Sequence, residues 1–479
     1  GARFQRVCPR PNHFLALQAS ELSSWELLAM GGKEDDVEDG ELLNAPLLAG
    51  RQKALPLAPL YTSMLLRTIA LAVAMLPSFS LSVAAFAAAE GRDSASAASA
   101  AGLIVALRHM AEFVSAPLLA VWSDQAGRRR VLIACCLAFV LECVLMSVAP
   151  SLLVLGAAHV AGGFVCSGNA VESSCIADAT PPGPARAVAT GRLFTVIGLA
   201  LVIGPMLGGA LGVHYGNAAP FACAALLGLV ALVVTVATLP EYLPESKRAH
   251  KGGTTAGGMS RASMVAPVLS LLNESPPLFW YAGAMALCSL GQSLFGTTNA
   301  LWMKEAFGWD SQDLGRFLAV VGFSVIASQV IVLPFVLRAA KGRESLALKS
   351  CLLTNAVKFA AYAMAPNGFW LYMALFLTIP CFCTIPVLTS LCTRHVPASR
   401  QGLWSGSISA LCTAANIIGA LVGSRLFAAS LRGLLPLGAN LFVAAGCYLA
   451  AAAFVSRAEL SRLPRKSQSG TEFDKSAGA

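Results

Sequence analysis

Charged residues are scarce in this chain of 479 residues: Asp, Glu, Lys and Arg make up 12% of it, whereas hydrophobic residues make up 56%. Soluble domains carry roughly 25% charged residues because their surfaces face water. The composition therefore argues against a soluble protein and favours one embedded in a lipid bilayer. Apolar stretches of about 20 residues, each long enough to cross a hydrocarbon core of roughly 30 Å, recur from residue 60 to residue 457.

The sequence also lacks the patterns of metal binding and of enzymatic catalysis. Most of its 14 cysteines fall inside apolar stretches, where they are expected to be small buried hydrophobic residues rather than disulfide partners. The six histidines do not cluster, and Cys381 and Cys383 have no second pair at metal-ligand spacing. No nucleophile elbow or phosphate-binding loop is present. We therefore expect no metal, no cofactor and no enzymatic activity.

Because lipid offers the backbone no hydrogen-bond partner, each apolar stretch is predicted to be a helix. Charged residues, prolines and glycines separate twelve such helices, at about 60–86, 102–122, 131–149, 152–175, 189–213, 219–239, 277–300, 315–337, 346–365, 369–392, 403–428 and 436–456.

One polar stretch divides these helices six and six. Residues 241–276 are rich in Pro, Gly, Ser and basic side chains, which is typical of a linker. It is predicted to join a first bundle, 60–240, to a second bundle, 277–457, with polar tails at 1–59 and 458–479. The expected fold is an all-α membrane protein with twelve transmembrane helices in two pseudo-symmetric six-helix bundles.

An internal repeat supports the division into two halves. When the second half is shifted back by 215 residues, glycines fall on glycines in corresponding loops and helices. The matches are Gly127-Arg128 with Gly342-Arg343, Gly191 with Gly406, Gly204 with Gly419, and Gly208 with Gly423. Duplicated halves of this kind are expected of many secondary transporters.

Basic residues concentrate in alternate loops and so predict the orientation of the chain. Lys and Arg near helix ends are retained on the cytoplasmic side. The even-numbered loops hold most of them, whereas Arg92, Lys304 and Arg432 are the main exceptions. Both termini are therefore predicted to be cytoplasmic. This topology accounts for the net charge of +9, and no nucleic-acid partner is expected.

The N-terminal tail carries a short pattern relevant to localisation. Residues Glu38 to Leu43, "EDGELL", fit the acidic dileucine signal read by endomembrane sorting adaptors. An ordinary solvated acidic tail is the alternative. The protein is expected to be a monomer surrounded by lipid, in either the plasma membrane or an endomembrane.

The stretch "VWSDQAGRRRVL" interrupts two apolar runs between the second and third helices. Gly127 permits a tight reversal of the chain, and the arginines keep the loop cytoplasmic. A topology signal requires only the arginines. Because Asp124 precedes them at a helix end, where it can pair with a guanidinium, the pattern favours a gating element.

The wider stretch "MAEFVSAPLLAVWSDQAGRRRVL" resembles the helix 2–3 signature of the major facilitator superfamily, particularly tetracycline-efflux antiporters and hippocampus-abundant-transcript-like transporters. "CIADATPPGPARAVATG" and "GLALVIGPMLGGAL" are similar to the helix 4–5 loop and the helix 5 antiporter motif of that branch. "FGWDSQDLGRFLAVVGFSVIASQ" and "PVLTSLCTRHVPASRQGLWSG" are similar to its helix 7–8 and helix 10–11 segments. Together these segments span most of residues 60–457.

The resemblance implies roles for particular residues. A cytoplasmic charge network that holds one conformation and breaks as the halves rock would comprise Asp124, Gly127, Arg128, Arg129, Asp178 and Arg186. The predicted gating element also includes the adjacent Arg130 and, through the repeat, Gly342 and Arg343. The helix 5 motif would comprise Gly204, Pro205, Gly208 and Gly209. Plain helix packing by small residues is an equal alternative for the helix 5 motif.

Ionisable residues at membrane depth are costly unless paired, so each is a functional candidate. Glu112, near the middle of helix 2, is the best candidate proton carrier, with a structural hydrogen bond as its alternative. His159 lies where the family has an arginine on helix 4, and it is either a titrating or a structural residue. Asn169 and Glu172 share one face of helix 4, where Glu172 is expected to join the network of Asp178.

Three further ionisable residues in the apolar stretches are expected to be structural. Arg67 is expected to extend its side chain to the cytosol. Glu142 and Lys358 lie on helices that are peripheral in the family fold, so stabilising partners on neighbouring helices are expected for both.

Neutral polar and aromatic residues are expected to line the cavity from helices 7, 8 and 11. They are Gln292, Asn299, Trp302, Gln329 and Asn416. Such a cavity suits a neutral or amphiphilic organic solute better than a polyanion, which would require clustered Arg or Lys.

The sequence therefore predicts a secondary transporter of a small organic solute that works by alternating access and is coupled to protons. An uncoupled facilitator is one alternative, because helix 1 lacks the acidic residue of the tetracycline exporters. A receptor-like protein on the same fold is another, because a fold does not fix a function.

Overall fold

The structure is a computed structural model that describes residues 56–76, 78–165, 168–180, 184–243, 245, 248, 276–339, 343–393, 395–396 and 401–461. The dileucine pattern at 38–43 and Gly342 lie outside the described residues. The side chains of Asn169 and Arg186 also lie outside them.

The described chain is helical, and its segments group into twelve helices at the predicted places. The uninterrupted helices are α2 (Ser94–Ala126), α3 (Arg128–Ser147), α5 (Pro184–Tyr215), α6 (Ala219–Thr238), α9 (Glu344–Ala363), α11 (Gln401–Leu431) and α12 (Ala439–Leu460). The interrupted helices are α1 (Ala58–Met75, Ser78–Ala89), α4 (Leu152–Gly163, Gly168–Ala179), α7 (Pro276–Gly296, Asn299–Phe307), α8 (Ser311–Ala327, Leu333–Ala339) and α10 (Gly368–Leu377, Thr384–Thr393).

Most of these helices have the length and apolarity of membrane spans. Among the described residues, nine are long and apolar enough to cross a bilayer, and α10 makes a tenth if its parts, bent by 56°, form one span. Several run beyond their predicted ends. α2, for example, begins at Ser94 because the Asp93 side chain caps it by accepting from the Ser96 N–H. The same contacts with Ser96 lower the pKa of the exposed Asp93 carboxyl.

Four of the interruptions follow a regular order, in every third helix: α1, α4, α7 and α10. The predictions of continuous helices over 60–86, 152–175, 277–300 and 369–392 were therefore wrong. α4, for example, stops at Gly163 and resumes at Gly168. In α10 a short 3₁₀ segment, Ile379–Cys383, separates the two parts. α8 differs, because a π-helical turn at Ser328–Val332 joins its parts.

The packing of the helices repeats between the two halves. α1 packs on α5 and α6 and α3 packs on α6, whereas α7 packs on α11 and α12 and α9 packs on α12. The second set of pairs is the first set moved on by six helices. The two six-helix bundles meet where α5 packs on α8 and where α2 packs on α11, which are again equivalent pairs.

Glycines at the predicted repeat positions explain why the helices approach closely within each bundle. A Cβ at Gly208 would lie 2.5 Å from the carbonyl oxygen of Val73 on α1, and a Cβ at Gly423 would lie against the carbonyl of Leu294 on α7. Gly204 and Gly419 make the corresponding contacts one turn earlier. Gly204 and Gly208 of the helix 5 motif therefore pack on α1, and Gly419 and Gly423 on α11 pack on α7 in the same way.

A second set of glycines packs one bundle against the other, and these inter-bundle contacts lie at one end of the molecule. We call the end at which α1 begins and α12 ends the proximal end, and the opposite end the distal end. The close pairs are Gly209 with Ser311, Gly315 with Pro205, Gly322 with Val202, and Gly102 with Ser424. All lie between the middle of the helices and the distal end, where the Ser80 hydroxyl also donates to the Thr297 carbonyl at 3.4 Å. The structure is therefore closed at its distal end.

Candidate functional site

The proximal charged loop is built around Gly127, whose φ of +98° places it in backbone space that favours glycine. Arg128 follows it and is largely buried. Its guanidinium binds Asp124 at 2.7 Å, Asp178 at 2.9 Å and the Ser123 hydroxyl at 2.7 Å. The loop thus ties the end of α2, the start of α3 and the end of α4 together.

Glu241, which directly follows α6, completes this loop. Its carboxylate accepts from the N–H groups of Arg128 at 2.8 Å and Arg129 at 3.3 Å, so it caps the N-terminus of α3. A Cβ at Gly127 would strike this carboxylate, which gives the glycine a second reason to be there. We call Asp124, Arg128, Asp178 and Glu241 the proximal charge network.

Other residues predicted for the gating element lie near this network or at the equivalent place in the second bundle. The Arg129 guanidinium donates to the Val236 carbonyl at 2.6 Å, and Arg130 is exposed. In the second bundle, Arg343 is exposed and immediately precedes α9.

A buried ionic cluster joins α2, α3 and α4 in the middle of the first bundle. Arg108, Glu142 and His159 are 6%, 3% and 4% exposed. The Arg108 guanidinium pairs with Oε1 of Glu142 and lies 3.1 Å from Nδ1 of His159, and that Nδ1 lies 3.0 Å from the same Oε1. Phe79 of α1 stacks on the His159 ring at a centroid distance of 4.2 Å.

Arg108 explains the histidine on helix 4. The family that the sequence resembles has an arginine where this chain has His159, and the structure places the Arg108 guanidinium of α2 against that histidine. Arg108 also donates to the His159 carbonyl at 2.8 Å. The expected partner of Glu142 on a neighbouring helix is thus Arg108.

Glu112 lies at the edge of this cluster on α2. Its carboxylate accepts from Arg108 Nε at 3.2 Å and lies 3.1 Å from Nδ1 of His109, and its side chain is 28% exposed. The exposed apolar stripe of α2 includes Leu107 and Met110. Since each residue turns a helix by about 100°, Glu112 lies on the side opposite Met110, which faces away from lipid.

Arg67 and Glu172 form a second buried ion pair, between the first part of α1 and the second part of α4. Their side chains are 7% and 4% exposed, and Arg67 Nη2 lies 2.9 Å from Glu172 Oε1. Two expectations were therefore wrong: Arg67 does not extend to the cytosol, and Glu172 does not join Asp178. The guanidinium reaches Glu172 because both side chains point into the bundle at the same depth.

The polar residues predicted for the cavity occupy varied positions in the second bundle. Gln292 is exposed, and Asn299 and Asn416 are half-buried. Gln329, in the π-helical turn, donates to the Phe382 carbonyl at 3.1 Å. Trp302 is buried, and its indole N–H donates to the Leu437 carbonyl at 3.0 Å.

Lys358 on α9 lies at the break in α10. Its ammonium contacts Asn355 Oδ1 at 3.2 Å and Cys381 Sγ at 3.5 Å, and it lies 4.6 Å from the centre of the Phe359 ring. Asn355 in turn donates to the Cys381 carbonyl at 2.9 Å and the Thr384 hydroxyl at 2.8 Å. The backbone groups released by the 3₁₀ segment are thus satisfied from α9.

Sequence reasoning missed Arg108 and Glu241. A weak signal existed for each: Arg108 is a charge in the middle of a predicted span, where charges are costly, and Glu241 is the first acidic residue after α6. Neither signal identifies a partner, because the partners lie 34 and 113 residues away.

Two six-helix bundles that meet along α2–α11 and α5–α8, with broken helices and buried charges inside, define a membrane transporter. The Major Facilitator Superfamily model matches residues 67–420, and the chain belongs to that superfamily.

Similar proteins agree with this assignment. The chain is 29% identical over 346 residues to the class C tetracycline resistance protein of Escherichia coli, an alignment that covers 70% of this chain and 82% of that protein. It is 24% identical over 318 residues to the hippocampus abundant transcript 1 protein of Homo sapiens, covering 66% of this chain and 64% of that protein.

Solved structures share the fold. The human organic anion transporter MFSD10 matches with a TM-score of 0.63 and 21% identity, covering 83% of this chain and 98% of that one. A D-xylose–proton symporter matches with a TM-score of 0.63 and 15% identity, covering 83% of this chain and 95% of that one.

Proposed function

We propose that this protein is a secondary active transporter that exports a small organic solute in exchange for protons. The observation that carries the proposal is the buried cluster of Arg108, Glu142 and His159, with Glu112 at its edge on the face of α2 away from lipid. Charged groups at this depth are retained where they serve transport or proton relay. Glu112 is the proposed proton carrier, because it alone of the two carboxylates is partly exposed.

Export by antiport is proposed from similar proteins. The relatives include tetracycline resistance proteins of several classes. The half-exposed amides of Asn299 and Asn416 and the exposed amide of Gln292 would offer a solute neutral hydrogen-bonding groups. We therefore propose a neutral or amphiphilic organic molecule rather than a polyanion as the cargo.

Transport would proceed by rocking of the first bundle, 60–240, against the second, 277–457. The distal contacts between α5 and α8 would separate in the opposite state, and the proximal ends would then close. Asp124, whose side chain is 54% exposed, lies where the second bundle would approach, so it is the proposed latch residue. We propose that the proximal end and both termini are cytoplasmic, because Arg128, Arg129 and Arg130 lie at that end and basic residues are retained on the cytoplasmic side.

A liposome experiment tests this proposal. Purified protein is reconstituted, a pH gradient is imposed with the lumen acidic, and uptake of labelled tetracycline is measured, followed by a panel of neutral and anionic organic solutes. We expect accumulation that collapses when a protonophore removes the gradient. Glu112→Gln should abolish accumulation but keep solute-for-solute exchange at equal pH. Glu305→Gln, an exposed glutamate on α7, is the matched control and should behave as the wild type.

An uncoupled facilitator is the second candidate. The observation that favours it is that α1, from Ala58 to Ala89, contains no Asp or Glu. A facilitator would equilibrate the solute without accumulating it, and Glu112→Gln would leave its flux unchanged. Folded protein that moves no solute of the panel would instead favour a receptor-like role.

A further inference from the structure

One oxygen of Glu142 has no partner. Oε1 receives Arg108 and lies beside His159, whereas Oε2 is buried and has no hydrogen-bond partner among the described residues. Oε2 packs against Gly162 of α4, where a Cβ would strike the carboxylate. An ionised carboxylate carries its charge on both oxygens, so leaving one buried and unpaired is costly. A neutral carboxylic acid carries no charge on that oxygen, so protonation of Glu142 lowers that cost.

His159 presents a second conflict at the same place. Its Nδ1 lies 3.1 Å from Arg108 Nη1, which can only donate, and 3.0 Å from Glu142 Oε1. One nitrogen cannot accept from the guanidinium and donate to the carboxylate at once. Nδ1 accepts a hydrogen bond from Arg108 when it carries no proton, and it donates one to Glu142 when it is protonated. The geometry therefore suits two protonation states rather than one.

We propose that Glu142 and His159 share one transported proton, with Glu142 as a second proton-binding residue beyond Glu112. In one state Glu142 is a carboxylic acid and His159 Nδ1 is unprotonated. In the other, the proton has passed from Oε1 to Nδ1, which lies 3.0 Å away, so that a carboxylate and an imidazolium face each other. The exchange moves one proton and changes neither the total charge nor any oxidation state. It deepens the proposed proton-coupled function and rests on it for its physiological role.

The helices packed around Glu142 and His159 limit which other titratable groups can take part in the proton exchange. On α2, Arg108 bridges the pair to Glu112 and His109, which form the exposed side of the path. α6 brings no charged residue, and its only titratable side chain is Cys223. The second part of α4 carries Glu172 and Asp178, which bind arginines elsewhere. Arg108 thus links the two carboxylates, with Glu112 on the exposed side of the cluster and Glu142 on its buried side.

Infrared difference spectroscopy of the protein in lipid, recorded between high and low pH, tests the proposal without any solute. A protonated carboxyl group gives a C=O stretch distinct from that of a carboxylate. We expect the carboxylic C=O signal of the wild type to contain a component that is lost in Glu142→Gln and retained in Glu112→Gln and Glu305→Gln. Glu142→Asp, which keeps a carboxyl group, should shift this component rather than remove it, and it serves if Glu142→Gln does not fold. His159→Gln should move the pH at which the component appears.

Any of three outcomes would overturn the inference: a wild type without a carboxylic signal that changes with pH, a Glu142→Gln spectrum that loses no carboxylic component, or a Glu142→Asp spectrum in which no component moves. Because this measurement requires no flux, its result is separate from that of the liposome experiment. A protein that titrates at Glu142 but accumulates no solute would retain the proton site and lose the proposed function.

Discussion

Gly322 lies at the contact between the bundles, and this position makes the effect of Gly322→Ala specific to one conformation. A Cβ there would lie 2.7 Å from the backbone nitrogen of Val202 and 2.8 Å from the carbonyl carbon of Leu201. Both neighbours are backbone atoms of α5, so they cannot turn aside as a side chain could. In a state in which α5 and α8 separate at the distal end, the methyl group meets nothing. The substitution should therefore destabilise the distal-closed state alone.

The expected size follows from the cost of overpacking. Adding a methyl group to a close-packed interface costs about 1–3 kcal/mol. A cost of that size, borne by one of two states, changes their ratio by about 5- to 150-fold. Gly208→Ala offers the contrast, because its Cβ would lie 2.5 Å from Val73 O inside the first bundle. That clash exists in both states, so it should lower stability by a similar amount without shifting the ratio.

The assay uses Ser424, which is 1% exposed and packs on Gly102 at the other inter-bundle contact. The Ser424→Cys variant is labelled with a maleimide in detergent, and the labelling rate of the new cysteine is measured by peptide mass spectrometry. Because each peptide is identified, its labelling is distinguished from that of the native cysteines. Gly322→Ala should raise the labelling rate in proportion to the shift, while Gly208→Ala should only lower the melting temperature. Gly446→Ala, with open space around its Cα, should do neither. An unchanged labelling rate in a folded Gly322→Ala protein would refute the reasoning.

Three other substitutions test the polar contacts. Arg108→Leu removes the guanidinium that pairs with Glu142 and Glu112 and donates to the His159 carbonyl, so thermal or denaturant unfolding in detergent should show a loss of about 3–5 kcal/mol. Asp178→Asn should slow transport with little change in solute affinity and more strongly than Asp124→Asn, because the Asp178 side chain is 27% exposed and that of Asp124 is 54% exposed. Asn355→Ala deprives the break in α10 of its donor and should cost about 1–3 kcal/mol in the same unfolding assay.

Matched controls exist for the two stability predictions. Arg316→Leu removes an arginine whose side chain is 57% exposed in its pair with Asp313, and it should cost less than about 1 kcal/mol. Asn217→Ala removes an exposed amide at the distal end and should be close to neutral. If either control costs as much as its buried counterpart, burial is not the cause of the effect.

The positions of the helices were predictable, because hydrocarbon thickness and backbone hydrogen bonding dictate the length and type of each span. The breaks within the helices were harder to predict from the sequence. The sequence signals the break in α1 by Pro77. The break in α4 lies between Gly163 and Gly168, but glycines also occur inside unbroken helices such as α5, so they do not signal a break. A break rotates everything after it, so the faces of Asn169 and Glu172 could not be derived from spacing within one continuous helix.

The partners of buried charges were the other part that the sequence could not supply. Glu172 is six residues from Asp178, and this proximity suggested a common network. The structure instead gives Arg67 to Glu172 and Arg128 to Asp178. Which cation reaches which anion depends on the depth and rotation of two separate helices, and a single sequence records neither.

The two bundles share the same helix packing, but their buried ionisable groups have different partners. At the repeat offset of 215 residues, Glu142 corresponds to the residue next to Lys358. Lys358 lies among neutral groups, with no carboxylate partner among the described residues, whereas Glu142 faces both Arg108 and His159. Proton exchange between an acid and a base is therefore available in the first bundle.

The first bundle can also transmit a change of charge directly to the inter-bundle contact. α2 carries Arg108 and Glu112 in the cluster, and it carries Gly102 in the contact with α11. Six residues along one helix separate Gly102 from Arg108, a rise of about 9 Å. When the cluster gains or loses a proton, the forces on Arg108 change, and any resulting shift of α2 acts at Gly102 without an intermediate. In the proposed mechanism, coupling would therefore depend on one helix, α2, rather than on a path through many side chains.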